Sequence, residues 1–503
     1  NTFQHLFDVA CDTHCPIKEK RVKGSFPDWI SGDYIKLCKD RDYYYSRAHK
    51  FNNEDDWKKA RELRNKVNKL NRSLKSNYCS KAINDNAKNS RKLWNTVRKL
   101  IPKSKSTVTS VQTSTGLTAN DKETADQFNS FFTSIGNNLA SKFSEINNVT
   151  YHDYTSSDNE RFNFDVITPD YVFDQINNFS NNKSTGIDTV SVKLLKLAAP
   201  IICHPLAYIC NLSMLTAHFP SKWKIARVTP IYKDGDKSNV SNYRPISVLP
   251  ILSKSLERIV HDQVYNYLTQ NNLLHPCQSG FRSNHSTNTT LIDVTDYILN
   301  NMNNGKVTGA IFIDLKKAFD TVNHKILLKK LNSYGIAGKA LKWFESYLEN
   351  RTQTVNINST YSTFRNIDIG IPQGSILGPL LFIIFVNSLP DSIKCKCVMY
   401  ADDTSLLVIS NNPATLQSEL DRNLDMVANW FKDNQLTLNI KKTKLMMFGT
   451  RQTLSKFNNI SLMYGNVKIE IVDKFKYLGV FLDPYLSWND HVNHLCSNIS
   501  KRI

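Results

Sequence analysis

A chain of 503 residues has room for two to four domains and at least one sizeable core. Apolar residues make up 41% of it and charged residues 22%, as in an ordinary globular protein, but the net charge is +19. Residues 1–105 supply +13 of that charge, with 25 Lys and Arg against 12 Asp and Glu, which suits a polyanionic partner: nucleic acid or a membrane surface.

A membrane partner is not expected. The longest apolar run, Ile376–Val386, is about half the roughly 20 residues that span a bilayer and contains Gly378 and Pro379, and no signal peptide is expected. The ten cysteines form no CxxC pair. Neither His5, Cys11, His14 and Cys15 nor His491, His494 and Cys496 fit the spacing of a common zinc module, so a reduced, intracellular protein is expected. The chain begins with Asn and ends at Ile503 inside a helical pattern, as expected of a piece of a longer polypeptide.

In chain order, residues 28–101 read as basic helices, with Trp57, Arg61, Arg64, Val67, Leu70 and Leu74 at helical spacing. Their cationic face is expected to bind RNA template or target DNA. A Ser/Thr/Lys-rich linker over 102–120 precedes a helix at Asp121–Leu139, and 144–163 reads as polar loop. From Pro169 the pattern is densely globular. The spacing predicts a strand at Gly309–Leu315, an amphipathic helix at Thr321–Tyr334 capped by Asp320 or Thr321, and two strands over Val398–Val408 joined at an acidic turn. A helix through Leu416, Leu420, Leu424 and Val427 follows, then a strand pair at Leu436–Leu438 and Lys444–Phe448. This is an α+β arrangement: an antiparallel sheet with helices on one side.

Three carboxylates carry the chemistry. Asp314 ends an apolar strand, and Asp402 and Asp403 sit between two others. An ionised carboxylate beside buried strands is costly unless paired or metal-bound, and adjacent acids repel unless a cation lies between them. If the strands are neighbours, all three meet at one sheet edge and offer hard oxygen ligands to Mg²⁺. Two such ions clamp an in-line phosphoryl transfer.

Phe312-Ile-Asp-Leu-Lys-Lys-Ala-Phe-Asp320, Gly370-Ile-Pro-Gln-Gly-Ser-Ile-Leu-Gly-Pro379 and Tyr400-Ala-Asp-Asp403 resemble three ordered motifs of reverse transcriptases. Asn242–Ile246, Gln278–Arg282, Asn439–Thr443 and Tyr477–Val480 extend the match, which resembles non-LTR, LINE-type, jockey-like retrotransposon enzymes from about Ser221 to Trp488. Ser388 departs from it, since such enzymes often have Asp there.

The resemblance implies a right-hand polymerase: a basic helical region over 1–143, an extension of the fingers over 144–213, fingers and palm over 214–483, and the start of a thumb from 484. It implies RNA-directed DNA synthesis with two Mg²⁺ ions, Mn²⁺ being able to substitute. An RNA template, a DNA primer or target DNA and deoxynucleoside triphosphates are the implied partners, with an endonuclease domain upstream and a nuclear or cytoplasmic ribonucleoprotein as the setting. By resemblance, Asp314, Asp402, Asp403 and the Leu315 carbonyl are metal ligands, and Lys442 protonates pyrophosphate, with Lys441 and Lys444 as rivals. Lys233 and Arg244 hold the triphosphate, Phe319 lies beneath the sugar, and Gln373 lies near the incoming base pair. Arg282 and Gly374 face the template, and Leu478 and Gly479 support the primer end. An RNA-copying RNA polymerase needs a small or polar residue at the place of Phe319. A decayed element that binds RNA without copying it is the reading from another class.

Overall fold

The computed structural model describes residues 2–16, 27–87, 89, 92–95, 110–113, 116–141, 143 and 161–500. They fall into two compact units, Thr2–Thr107 and Val108–Ile503.

The smaller unit holds α1 (Thr2–His14) and a helical hairpin of α2 (Gly32–Phe51) and α3 (Glu54–Asn86). Asn52 reverses the chain in the left-handed conformation (φ 48°), and the Asn53 side chain caps α3 by accepting from Asp55 N. Ala60, Leu63 and Val67 form the buried stripe of α3 at helical spacing. Arg61 and Arg64, which follow the same helical spacing as Val67, lie on its exposed side.

The larger unit contains two five-stranded sheets. The first has the order β4 (Tyr243–Val248), β3 (Ile225–Tyr232), β6 (Arg351–Ile357), β7 (Thr360–Tyr361), with β8 (Arg365–Ile367) also on β6. The helix α4 (Asp121–Ala140) packs on it through Phe128 and Phe132, which share a core with Val228, Tyr243 and Val355. The boundary expected at 143 therefore falls earlier. Those two rings belong to the core of that sheet. A short hairpin, β1 (Gln112–Thr113) with β2 (Gly116–Leu117), lies where linker was expected.

The second sheet has the order β14 (Glu470–Ile471), β11 (Lys444–Phe448), β5 (Val307–Ile313), β10 (Asp403–Ser410), β9 (Lys396–Tyr400); all its pairs are antiparallel except β11 with β14. Every residue of the central β5 is buried. A helix does not cover one side alone. Leu420 of α12 (Pro413–Asp433) lies against Gly309. Ala310 and Phe312 face Val294 and Ile298 of α8 (Thr287–Asn303), together with Tyr477 and Leu482 of the hairpin β15 (Phe475–Tyr477) and β16 (Val480–Leu482). A last small hairpin pairs β12 (Met463–Tyr464) with β13 (Val467–Lys468).

Helices α5 (Pro169–Asn178), α6 (Val192–Thr216) and α7 (Ile251–Gln270) precede this sheet in sequence, and α9 (His324–Ser333), α10 (Gly338–Leu348) and α11 (Leu377–Val386) are inserted between β5 and β9; α13 (Asn489–Ser500) ends the described chain. The run Ile376–Val386 supplies α11, nearly all buried. The longer α6 is, by length and mean hydropathy (1.4), a helix apolar enough to cross a membrane, contrary to the expectation that no such run exists; 39% of that stretch is buried inside the unit. Pro200 and Pro205, which lie inside α6, break its apolar residues into short runs and hid it.

Two local expectations fail. The helix predicted at Thr321–Tyr334 starts at His324 and is capped by Asn323, whose Oδ1 accepts from Lys325 N (2.8 Å) and Ile326 N (3.2 Å). Ala318–Thr321 forms a 3₁₀ turn entered through Lys317 in the left-handed region (φ 51°). Leu436–Leu438 forms no strand with β11. Leu438 bridges Leu315 instead, because β11 is paired with β5 and β14.

Candidate active site

The register of the second sheet assembles the site. Thr404 pairs with Ile313, so Asp403 enters the sheet beside Asp314, which follows β5. Asp403 also pairs with Tyr400 across the two-residue turn Ala401–Asp402. That turn puts Ala401 at φ 59°, a sparsely populated region for a residue with a side chain.

The loop Gln278–Arg282 holds the turn in place. Gln278 is fully buried, and its Oε1 accepts from Ala401 N (3.0 Å) and Gly280 N (2.7 Å). Ser279 N donates to Met399 O (2.8 Å) and Met399 N to Cys277 O (2.9 Å), so the loop runs alongside β9 as a parallel bridge. A Cβ on Gly280 would lie 2.1 Å from Ala401 N, so only glycine permits the approach.

Asp314 is fixed from the other side. Asn439 Nδ2 donates to Asp314 Oδ2 (2.7 Å), Asn439 N donates to Asp314 O (2.8 Å), and Asp314 N donates to Thr443 Oγ1 (3.4 Å). Gln278 and Asn439 thus position the acids. Both lie in quoted motifs, yet pattern alone gave neither a role, because their partners are more than a hundred residues away in sequence.

The electrostatics suit a cation. Burial pushes the Asp402 carboxyl up, and Asp314 pushes it further. Burial, Asp402 and Asp314 raise Asp403 to about 6. Lys233 and Arg244 pull both down, too weakly to offset burial. Asp314, Leu315 and Asp402 line one cavity of about 760 Å³ together with Lys233, Arg244, Phe319, Gln373 and Lys442. Asp314 and Asp403 line a second, of about 360 Å³, with Lys442 and Leu478. Among the described residues no group of three or more His, Cys, Asp or Glu is arranged to hold a metal. Mg²⁺ is usually held through one or two carboxylates plus substrate phosphates rather than by an all-protein cage, so the half-buried Asp314 and Asp402, opening on one cavity, fit it as a donor set.

The other named residues divide as follows. Burial depresses the Lys233 amine, and Lys442 and Arg244 add to the effect. Lys442 lines both cavities, whereas Lys444 Nζ is tied to Glu470 (2.6 Å) and Lys441 lines only the second. Phe319 lines the first cavity and also stacks on buried Phe382 (4.6 Å between centroids). Gln373 Nε2 donates to Asp320 Oδ1 (2.8 Å), and Gln373 O accepts from Ser247 N (2.7 Å). Gly374 has φ +118°, and a Cβ there would lie 2.4 Å from Ser247 O, so protein backbone already demands a glycine at that position. Arg282 Nη1 donates to His275 O (3.0 Å) and Gln278 O (3.1 Å), bracing its own loop. Leu478 (φ 45°) and Gly479 (φ +91°) form the tight turn between β15 and β16.

Residues 232–482 match the family described as reverse transcriptase (RNA-dependent DNA polymerase). The chain belongs to the reverse transcriptase family. It is similar to the probable RNA-directed DNA polymerase from transposon BS of Drosophila melanogaster, with 34% identity over 336 residues, 64% of this chain and 36% of that one. It is likewise similar to the RNA-directed DNA polymerase from mobile element jockey of Drosophila melanogaster, with 30% identity over 322 residues, 62% of this chain and 35% of that one. A solved apo telomerase from Candida Tropicalis aligns at 14% identity over 54% of this chain and 49% of that one, with a TM-score of 0.37. The chain therefore spans little more than a third of the length of those two curated relatives. The architecture is the α+β right hand of the reverse transcriptases.

Proposed function

We propose that this chain is an RNA-directed DNA polymerase that copies retrotransposon RNA into DNA by two-metal nucleotidyl transfer. The observation that carries the reading is the opening of Asp314 and Asp402 on one cavity that is also lined by Lys233, Arg244, Phe319 and Gln373. Carboxylates and cations lining one cavity suit a magnesium–triphosphate complex. Asp314, Asp402, Asp403 and the Leu315 carbonyl would hold Mg²⁺, or Mn²⁺ in its place, and the bound metal would supply activation of the attacking 3′-hydroxyl and charge compensation for the leaving pyrophosphate.

The chain's own groups supply the rest. Lys233 and Arg244 orient the triphosphate, and Lys442 passes a proton to pyrophosphate. The Phe319 ring lies under the sugar and disfavours a 2′-hydroxyl. Gln373, fixed by Asp320 and Ser247, bears on the incoming base pair. Arg282 and Gly374 border the template, and the Leu478–Gly479 turn bears on the primer end near Asp403.

Primer extension on poly(rA)/oligo(dT) with Mg²⁺, run beside Asp402→Ala, tests the reading. Extension by the wild-type chain, lost in the variant and on chelation with EDTA, is the expected outcome. Binding of the template without extension would overturn it in favour of a decayed, RNA-binding element.

A further inference from the structure

The smaller unit carries chemistry that the proposed polymerase site does not use. On α3 no acidic residue lies between Glu62 and Asp85, while Arg64, Lys66, Lys69, Arg72, Lys75 and Lys81 all do. All six are exposed, opposite or beside the buried stripe of Ala60, Leu63 and Val67. The hairpin's ion pairs among the described residues use other groups: Arg41 with Asp42, Arg47 with Asp56 and Lys59 with Glu62. At about 1.5 Å per residue the uncompensated strip runs for roughly 25 Å. The fully exposed residues between its cations are Asn65, Asn68, Ser73, Ser76, Asn77 and Ser80, all hydrogen-bonding groups, while Val67, Leu70 and Leu74 are buried or half-buried, so the strip offers a lipid surface little to bury.

A second feature lies at the turn of the hairpin. Tyr45, His49 and Trp57 form a ring cluster, with Tyr45 edge-on to Trp57 at 5.3 Å and His49 6.2 Å from Trp57. Tyr45 is 52% exposed, and Phe51 at the end of α2 is 67% exposed. Rings left in water beside a cationic strip are the two halves of a single-strand site. Ring faces stack on unpaired bases and cations track the phosphates, whereas a duplex hides its base faces.

We propose that the α2–α3 hairpin is a binding site for single-stranded polynucleotide, with Tyr45, His49 and Trp57 as the base platform and Arg64, Lys69 and Arg72 as the phosphate rail. The site lies in a unit of its own, so it can fail while the palm still polymerises, and the reverse.

The test uses the full chain and follows fluorescence anisotropy with oligouridylate and oligothymidylate of about 20 nucleotides, across a range of KCl. The triple variant Arg64→Gln, Lys69→Gln, Arg72→Gln touches only exposed positions. It is expected to flatten the slope of log Kobs against log salt by about 2, at roughly 0.7 per cation for single strands. Tyr45→Ala is expected to weaken binding about 5- to 150-fold by the loss of one stacked base. Extension of a pre-annealed primer at saturating template should hold in both variants. Equal losses on the two oligonucleotides are expected, and a loss on one alone assigns the site to that strand. An unchanged salt slope in the triple variant, with its helical circular dichroism intact, would overturn the proposal. So would an equal loss on a duplex for Tyr45→Ala.

Discussion

The Phe319 ring stacks on buried Phe382 and also lines the cavity with Asp314 and Asp402, so its substitution separates two roles. Overpacking of a 2′-hydroxyl against the ring costs roughly 1–3 kcal/mol. Phe319→Val is therefore expected to lower the preference for dGTP over GTP by about 5- to 150-fold. If both rates fall together and their ratio holds, the ring serves only the core. Asp320, beside it, has its Oδ2 sealed from solvent without a partner, and burial raises its carboxyl from an ordinary 3.8 to about 6, against the pull of Gln373 and Lys317. The folded state thus holds this proton over a range in which the unfolded chain has released it. Its contribution to stability falls as pH rises from about 4 to about 6, and is level above, by at most about 3 kcal/mol. Asp320→Asn should flatten Tm against pH across that window; a Tm profile that still tracks wild type there would acquit the residue. Ser388 carries a different expectation. Its Oγ lies 3.4 Å from Nζ of Lys330, an amine that is 1% exposed, donates to the Phe385 carbonyl and lies 4.5 Å from the Trp430 ring centroid. Burial pushes this ammonium well below its ordinary pKa. Ser388→Asp places a carboxylate against it and is expected to stabilise the protein by about 1.5–3 kcal/mol, read as a higher urea midpoint. A lower midpoint would show that desolvating the new charge wins.

Among the elements, α11 follows directly on the Gln373 turn, and Glu257 of α7 holds its first turn. Glu257 Oε2 accepts from Ile376 N (2.7 Å) and Leu377 N (3.4 Å), and Ser253 donates to Oε1 (3.2 Å). The carboxylate is fully buried; burial raises its pKa, while Arg351 and those N–H groups pull it back. Glu257→Ala leaves buried N–H groups without an acceptor, at about 1–3 kcal/mol. It also frees the turn that orients Gln373, so a higher KM for deoxynucleotide with a smaller change in kcat is expected. Glu257→Gln keeps an acceptor and should lie between the two. Equal effects on KM and kcat would make Glu257 merely structural. Nothing in the sequence points to it, because a Glu on an amphipathic helix reads as a solvated side chain. Strands β5, β9 and β10 were legible for the opposite reason: dense apolar runs end at acids that only a shared edge explains. The start of α9 was not legible, since Asp320 and Thr321 are good caps by type, and only the tertiary contact with Gln373 draws Asp320 away. The strand expected at Leu436–Leu438 failed because both edges of β11 were already taken.

At the scale of the molecule, the polymerase architecture was readable because ordered motifs tied distant segments to one chemistry, whereas boundaries were not. Helix α4 reads as a member of the basic region until Phe128 and Phe132 are seen in the core of the first sheet. Helix α6 leaves Leu197 80% and Ile201 81% exposed, a disposition that an apolar sequence does not foretell. The bond from Ala401 N to Gln278 has a bearing on kinetics. It joins residues 123 apart, and closing such a loop costs about 4 kcal/mol of chain entropy before the contact returns anything. The intervening chain includes β5, α9, α10, β6 and α11, and their folding shortens the effective loop. The strained Ala401 turn should then be among the last features to settle, since non-local pairings form slowly. On dilution from urea, far-UV circular dichroism is expected to recover well ahead of primer extension, and Gln278→Ala to widen that lag. Activity that returned with the earliest helical signal would mean that the acidic turn forms without the loop. Otherwise a chain emerging from the ribosome spends its first moments folded in outline and catalytically silent.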